Sequence, residues 1–540
     1  VPPASSTAVS PRRDAARLPA PAERAGVAVL VVGLVALLAY AWQLGRDIGF
    51  FSDDWDIIAF HHDGHLLVPF NGHLSLLPIA VFRALFLTAG LGSYTPYRVV
   101  GFVSYVVFVV TLFVYGRARV GSLLAALAAL AMAWFSAGDI NVMFPFLMNF
   151  SLPLAAGAGI WIVRDRDVPW RDWIGGALLA IALASSGIGL TVTGAVFVEL
   201  ALRRERPTRW VPYLVPFALW LLWYSQYRTA VAPIGSIRSV IEYGAHELHE
   251  TFAAFAGGTI VGGWVLLVAY AVVMVVAATR WHTFDARATG ALAGGVSFIV
   301  LTSITRIGIV PAIPPETGRY LWVNGFFFVA ALLHVLRGRR LPWSAYVIAL
   351  VIVVVGAGVL VSNLRKYHDQ VVAYGRSTRT YEVAVEAMPD RVDRTRIMPL
   401  SFIVVRAGDY VDAIRHLGSA IPHVTLDDLG VEADRHNADS WMVQDEAVAA
   451  GARPVSAPGP GPCTALDPHD GEAAAGTVVV VSAGGEPVGI ELRRLARTFD
   501  GNAVVTVPAG ATVALPLPAD HGRFPWHVRA DGATSVVRCP

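Results

Sequence analysis

Long apolar runs recur through the first two-thirds of this chain, separated by short polar breaks. Runs of about 17–25 apolar residues are what a helix needs to cross a bilayer. Eleven such spans are expected, at 26–46, 96–117, 120–136, 143–163, 172–186, 188–202, 209–226, 257–279, 288–305, 320–336 and 343–362. The pair 172–186 and 188–202 is short, and the break at Ser185-Ser186-Gly187 fits either two helices or a kink in one. Beyond residue 362 the pattern changes. Residues 364–390 keep helical apolar spacing with mixed charge, as a helix leaving the membrane would. Met398 to Val405 is apolar enough for a strand, and Tyr410 to Leu417 reads as a short helix. The stretch 449–462, rich in Ala, Gly and Pro, reads as a linker. After it, 477–482, 489–492, 503–507, 512–517 and 526–529 alternate or run apolar between turn residues, the pattern of a small β-sandwich.

The expected fold is therefore mainly α: a polytopic membrane protein of about eleven transmembrane helices with a C-terminal extracytoplasmic α/β cap containing the sandwich. Along the chain this gives an arm at 1–25, read as disordered and cytoplasmic, and a transmembrane domain at 26–362 with a long first external loop at 47–95. An external α/β segment at 363–448 and an external sandwich at 449–540 complete the chain. Composition agrees, with 55% hydrophobic and only 15% charged residues in 540. Loops rich in Lys and Arg stay cytoplasmic. With the N-terminus inside, Arg117, Arg119, Arg164, Arg166, Arg203, Arg204, Arg280, Arg287, Arg337 and Arg339 all fall on the cytoplasmic side of a plasma membrane. Few basic residues face outward, notably Arg238, Arg306 and Arg319. A net charge of +2 says nothing about nucleic acid, and no basic, aromatic-interleaved patch stands out, so no nucleic-acid partner is expected. Cys463 and Cys539 are the two cysteines, and on the external face they are expected to bridge.

The candidate chemistry lies in external loops. Phe51-Ser52-Asp53-Asp54-Trp55-Asp56 comes directly after the first span. Carboxylates there do not help insertion, and a carboxylate at the membrane surface can take a proton from a hydroxyl whose reaction partner is delivered by lipid. The loop continues through His61, His62, Asp63 and His65 to Pro69-Phe70-Asn71-Gly72-His73 and an amphipathic segment, 74–89, suited to lie along the membrane surface. The histidines and aspartates raise a divalent-metal reading, but no pair stands in a motif that fixes a metal geometry, so none is assigned. Asn71 and His73 suit donation to sugar hydroxyls or phosphate, or equally a turn and helix cap. The second loop offers Trp134 and Asp139 as sugar-facing groups, and 227–256 suits a mobile lid.

Pro311-Ala312-Ile313-Pro314-Pro315-Glu316-Thr317-Gly318-Arg319-Tyr320 leads into the tenth span. An external Arg at a membrane boundary usually has an anionic partner, and its planar fork matches phosphate. The alternatives for Arg319 are snorkelling to headgroups or pairing with Glu316. Gly318 would let a ligand approach the backbone. Arg306 stands as a second clamp on the same group.

Taken together, the acidic motif in a long first external loop, the Arg319-Tyr320 pair opening a late helix and the external C-terminal domain resemble the type-C glycosyltransferases (GT-C). These are integral membrane enzymes that take sugar from a polyprenyl-phosphate carrier. Asp-Asp-Trp, then Pro-Phe-Asn-Gly-His-Leu-Ser-Leu-Leu-Pro and Ser-Tyr-Thr-Pro-Tyr, resemble actinobacterial members of that superfamily, over roughly 26–362. The resemblance implies that Asp53 or Asp54 deprotonates a hydroxyl of a cell-envelope glycan or glycolipid acceptor. Arg319, with Tyr320, Arg306 and Arg98, would hold the departing lipid phosphate, while Trp55, Asn71, His73, Trp134 and Asp139 contact sugar or acceptor. The displacement would invert the anomeric centre, and the carrier-linked sugar would be the only cofactor-like requirement, with no metal needed. Two rivals of other classes are a lipid transporter or flippase and a non-catalytic glycan-binding scaffold. Transport predicts acids inside the spans, and the clear spans are nearly free of them, the charges gathering in external loops.

Overall fold

A computed structural model gives the fold and describes residues 20–227, 236–307, 313–390, 392–400, 404–443, 451–456, 462–519 and 524–540. The expectations for 1–19, Arg228, Pro311-Ala312 and half of the 449–462 linker lie outside the described residues. Seventeen helices occur in order among those described: α1 (Ala20–Leu44), α2 (Asp53–His61), α3 (Leu76–Ala89), α4 (Thr95–Val120), α5 (Ser122–Ala133), α6 (Asp139–Met143), α7 (Met148–Arg164), α8 (Arg171–Ser185), α9 (Ile188–Leu202), α10 (Pro207–Tyr227), α11 (Ile237–Phe255), α12 (Ile260–Val276), α13 (Ala286–Arg306), α14 (Gly318–Val335), α15 (Trp343–Ala387), α16 (Ala407–Leu417) and α17 (Glu432–Val443). The chain divides into two units. The first gathers Val1–Gly45, Leu67–Pro78 and Arg98–Tyr367, the second Arg46–Leu66, Ile79–Tyr97 and His368–Pro540. Residues 47–95 are thus divided between the two units.

In the first unit, seven helices among the described residues are long and apolar enough to cross a membrane: Glu23–Asp47, Thr95–Val120, Pro145–Arg164, Ile260–Trp281, Ala286–Arg306, Gly318–Val335 and the one beginning at Trp343. The other four expected spans form shorter or more polar helices. The 120–136 run is the 12-residue α5, and 209–226 is α10 with Pro212 and Pro216 inside it. Outward faces are apolar: Val261, Val265, Val268 and Val272 on α12, and Ile348, Val351 and Val354 on α15, are exposed. In water such surface would drive association, whereas in a bilayer it is solvated. Polar groups sit inside instead.

The open choice at Ser185-Ser186-Gly187 resolves into two helices. Ser186 is fully extended (φ −174°, ψ 176°), which ends α8. Arg164 pairs with Asp172 at the start of α8 (2.9 Å) and with Glu199 near the end of α9 (3.6 Å). Both ends therefore lie at one level, and α8 and α9 form an antiparallel hairpin. Each has 15 residues, about 22 Å at 1.5 Å per residue. Glu199 is an acid within one of the two short expected spans. It is fully buried, accepts from Arg287 at 3.0 Å and pairs with Arg203 at 3.0 Å, and Arg287 also pairs with Asp165.

The described part of 227–256, expected as a loop, is the 19-residue helix α11, capped by Ser236, whose Oγ accepts from the Ser239 N–H at 3.0 Å.

The second unit holds the far end of α15, one 45-residue helix that takes in both the 343–362 run and most of 364–390. The expected 398–405 strand is two short antiparallel strands, β1 (Ile397–Met398) and β2 (Val405–Arg406), leading into α16. Nine further strands make two antiparallel sheets: β3 (Arg453–Pro454), β4 (Thr464–Ala465), β5 (Gly471–Ala473), β6 (Val478–Ala483), β7 (Val488–Arg493), β8 (Val505–Val507), β9 (Thr512–Pro516), β10 (Trp526–Arg529) and β11 (Ala533–Cys539). Their orders are β3-β9-β6-β11-β4 and β5-β10-β7-β8. Val479, Val481 and Leu515 of one sheet share a core with Ile490, Trp526 and Val528 of the other, the period-two burial of a sandwich. Cys463 and Cys539 are disulfide-bonded, and Val480, Ala514 and Cys539 form a second, smaller cluster.

Candidate active site

Two groups of chemistry-bearing residues form, one in each unit. In the second unit, Ser52 takes a positive φ of 49° and turns the chain into α2, whose first turn carries Asp53, Asp54 and Asp56. Acids there complement the positive helix end. The three carboxylates are not equivalent. Asp53 is half-buried, with the Ser52 hydroxyl at 3.5 Å. Asp54 is fully buried. Its Oδ2 accepts from the Tyr94 hydroxyl at 2.7 Å and from the Phe51 N–H at 3.3 Å, while its Oδ1 has no hydrogen-bond partner among the described residues. Burial holds the Asp54 carboxyl well above the usual carboxylate range; the Tyr94 and Phe51 bonds pull it back, and Asp53 and Asp56 push it up.

Trp55 is buried between Phe50 (6.2 Å) and Tyr410 (5.2 Å), so its ring is core rather than an open stacking surface. Phe51 and Trp55 also line a pocket with Arg379 and Glu382 of α15. His61 is buried and His62 bonds the Ile58 carbonyl at 2.7 Å, while the His62 ring meets His416. No group of three His, Cys, Asp or Glu side chains able to hold a metal occurs among the described residues.

In the first unit, Arg306 ends α13 and Arg319 opens α14. Both guanidinium groups lie against the Tyr320 ring, at 5.4 and 5.3 Å from its centroid. Phe150 stacks on that ring at 6.4 Å and Phe298 meets it edge-on at 6.1 Å. Among the described residues no carboxylate lies within ion-pair distance of either arginine, and the Nε of each is buried without a partner, as is the Tyr320 hydroxyl. The expected alternative of a Glu316–Arg319 pair is not formed; Glu316 is exposed.

His73 joins this group. Asn71 (φ 48°) and Gly72 (φ 76°) form a two-residue turn closed by paired Phe70–His73 backbone bonds of 2.9 Å, which makes Asn71 a turn residue. The turn seats His73 against Gly187, where a Cβ would meet the imidazole at 2.9 Å. Burial, and then the charge of Arg306, lowers the His73 pKa to about 4, leaving a neutral donor at pH 7.

Gly318 has a different role from the one expected. A Cβ there would lie 2.1 Å from the Ala137 carbonyl, so the residue admits the neighbouring loop rather than a ligand. That loop carries Asp139, half-buried at the start of α6, with a carboxyl raised by burial. Trp134 donates its indole N–H to the Gly33 carbonyl at 3.1 Å. Arg98 packs over Trp42 at 5.6 Å and against Gly45.

Two partnerships escaped the sequence. Tyr94 stood only within a motif, with nothing to tie it to Asp54 forty positions earlier. Glu247 of α11 is fully buried and accepts from Thr302 at 2.6 Å and Asn324 at 2.8 Å. Thr302 lies one turn before Arg306, and Asn324 just over one turn after Tyr320, so this carboxylate ties together the helices that present the arginines.

No family profile matches the chain, and no curated protein matches it. Two solved structures of ArnT from Cupriavidus metallidurans are similar to it. One, in the apo state, is 11% identical, covers 76% of this chain and 90% of that one, and has a TM-score of 0.49. The other, bound to undecaprenyl phosphate, is 12% identical, with coverages of 75% and 88% and a TM-score of 0.46. A likeness this distant does not bear on function.

Proposed function

We propose that this chain is a membrane glycosyltransferase of the GT-C type, moving a sugar from a polyprenyl-phosphate carrier to a hydroxyl of a cell-envelope glycan or glycolipid. The observation that carries the reading is the pair of guanidinium groups on Tyr320 without a carboxylate partner among the described residues. Two such cations at the ends of membrane-crossing helices ask for a polyanionic ligand, and a phosphate attached to a lipid arrives at that depth. Neutral His73 adds a donor, and the first turn of α14 adds its positive end.

In the proposed reaction the acceptor hydroxyl gives its proton to Asp54. The acceptor oxygen forms a bond to the anomeric carbon, and the bond from that carbon to the phosphate oxygen breaks. The lipid phosphate leaves with the electron pair, its charge held by Arg319 and Arg306. A single displacement inverts the anomeric centre. A raised pKa suits Asp54 to this work, since a base titrating nearer neutrality has more driving force to take a hydroxyl proton. The transporter reading loses ground, because the acid found within a span, Glu199, is locked in ion pairs rather than facing a path.

The test is sugar transfer by the full chain in lipid or detergent, with a polyprenyl-phosphate sugar donor. Asp54→Asn is expected to lower kcat by about 10²–10⁴-fold at unchanged donor KM. Arg319→Ala is expected to raise the donor KM by about tenfold or more, the loss of a charge-assisted bond. Full transfer by both variants would sink the assignment, and lipid translocation surviving Asp54→Asn but not Arg319→Ala would favour the transporter.

A further inference from the structure

The first turn of α2 offers three carboxylates, and the reaction needs one base. We propose that Tyr94 is the positioning residue that selects Asp54, fixing its Oδ2 by hydrogen bond and leaving Oδ1 as the atom that takes the acceptor proton. This rests on the glycosyltransferase reading above and adds to it which oxygen reacts and what holds it.

Tyr94 is buried, meets Phe50 edge-on at 5.0 Å and lies parallel to Tyr97 at 6.1 Å. Tyr97 is itself fixed, its hydroxyl donating to the Gly90 carbonyl at 2.8 Å. A ring held on two sides aims its hydroxyl in one direction, and that direction is Asp54 Oδ2 at 2.7 Å. The Phe51 N–H takes the same oxygen from the backbone side. With Oδ2 engaged twice, rotation of the carboxylate would break both bonds. Oδ1 stays put and, alone of the two, has no partner among the described residues. Asp53, by contrast, is half-buried and receives a 3.5 Å contact from the neighbouring Ser52 hydroxyl, a wetter and looser setting for a base.

The chemistry depends on the donor. A hydroxyl donating to Oδ2 favours the ionised carboxylate over the acid, which keeps a buried base able to lose its proton between turnovers. The charged groups acting on Asp54 are Asp53 and Asp56 of the same turn, both of which push its titration upward. From α4 the facing group is Tyr97, and from α16 Tyr410 meets Trp55. Tyr94 is the side-chain donor working against that push.

Tyr94→Phe removes the hydroxyl and keeps the ring. The acid limb of the kcat/KM profile is expected to move alkaline by about one to two pH units. At a pH below the limb, transfer then falls about tenfold or more, with donor KM unchanged. A purely structural loss would depress the profile at every pH without moving the limb. Tyr97→Phe, which deletes a hydroxyl from the same stack but not one bonded to Asp54, is expected to leave the limb in place, and thermal unfolding of both variants reports whether the stack survives. A Tyr94→Phe limb where the parent has it, in a folded protein, overturns the proposal. If Asp54→Asn also transfers sugar normally, the functional reading falls instead; if Asp54→Asn is dead while the Tyr94→Phe limb is unmoved, only the role of Tyr94 falls.

Discussion

His73 shows how a single side chain can report on its surroundings. Its pKa is lowered to about 4 from 6.5 by burial and by Arg306. Between those values the unfolded chain binds a proton that the folded chain refuses, so stability rises with pH across that window and is lost as pH falls through it. Thermal unfolding followed from pH 7 to pH 4 is expected to drop more steeply in the parent than in His73→Gln, and equal slopes would mean that His73 is not held neutral. At this scale the sequence was informative about identity and poor about partnership. Asp53, Asp54, Arg306 and Arg319 were all legible as charges at the wrong place for a membrane helix. That Asp54 rather than Asp53 is buried, and that Tyr94 anchors it, depends on a chain reversal between residues 54 and 94 that no local pattern encodes. Gly318 was legible as special but for a different reason, since what approaches it is the Ala137 carbonyl.

Among the elements, the strongly apolar helices were legible and the others were not. Long, nearly unbroken apolar runs announce α4, α12 and α15 directly. α11 was hidden because its buried face carries Glu247 and His249, which bond to other helices, and Thr251, whose hydroxyl donates to the Glu247 carbonyl of α11 itself. The α8–α9 hairpin was ambiguous because a two-residue break reads alike for a kink and a reversal; the extended Ser186 and the Arg164 pairings to the start of α8 and the end of α9 decide it. Glu199 is the centre of that fastening, so Glu199→Gln leaves buried Arg287 and Arg164 without their shared counterion. A loss of about 3–5 kcal/mol is expected, because a buried charge stripped of its partner keeps its desolvation cost. Glu205→Gln, nearer the surface, is expected to cost less than about 1 kcal/mol. Thermal unfolding of the two variants side by side checks the difference, and equal losses would show that Glu199 is not the centre of the fastening.

The whole molecule combines two solutions to burial. The first unit exposes apolar side chains such as Val261 and Val354 while also burying apolar ones such as Phe108, Trp161 and Phe326 beside paired charges, whereas the sandwich keeps Val479, Val481, Ile490 and Trp526 inside. The sandwich was legible from period-two alternation between turn residues, though the division of its strands between two sheets was not. Its disulfide closes 76 residues of chain. Replacing both cysteines with serine is expected to cost about 2–4 kcal/mol, and to do so locally: amide exchange should quicken in β6 and β11 and stay unchanged in α13 and α14. Acceleration in both units together would show that the sandwich does not unfold on its own. Around Tyr320, in the first unit, two like charges share one ring and repel each other. The fold holds the ends of α13 and α14 together against that repulsion. A phosphate bound there, as the proposed function has it, would offset that repulsion, so part of its binding energy would go into firming the two helix ends. Recognition and rigidity would then be one event.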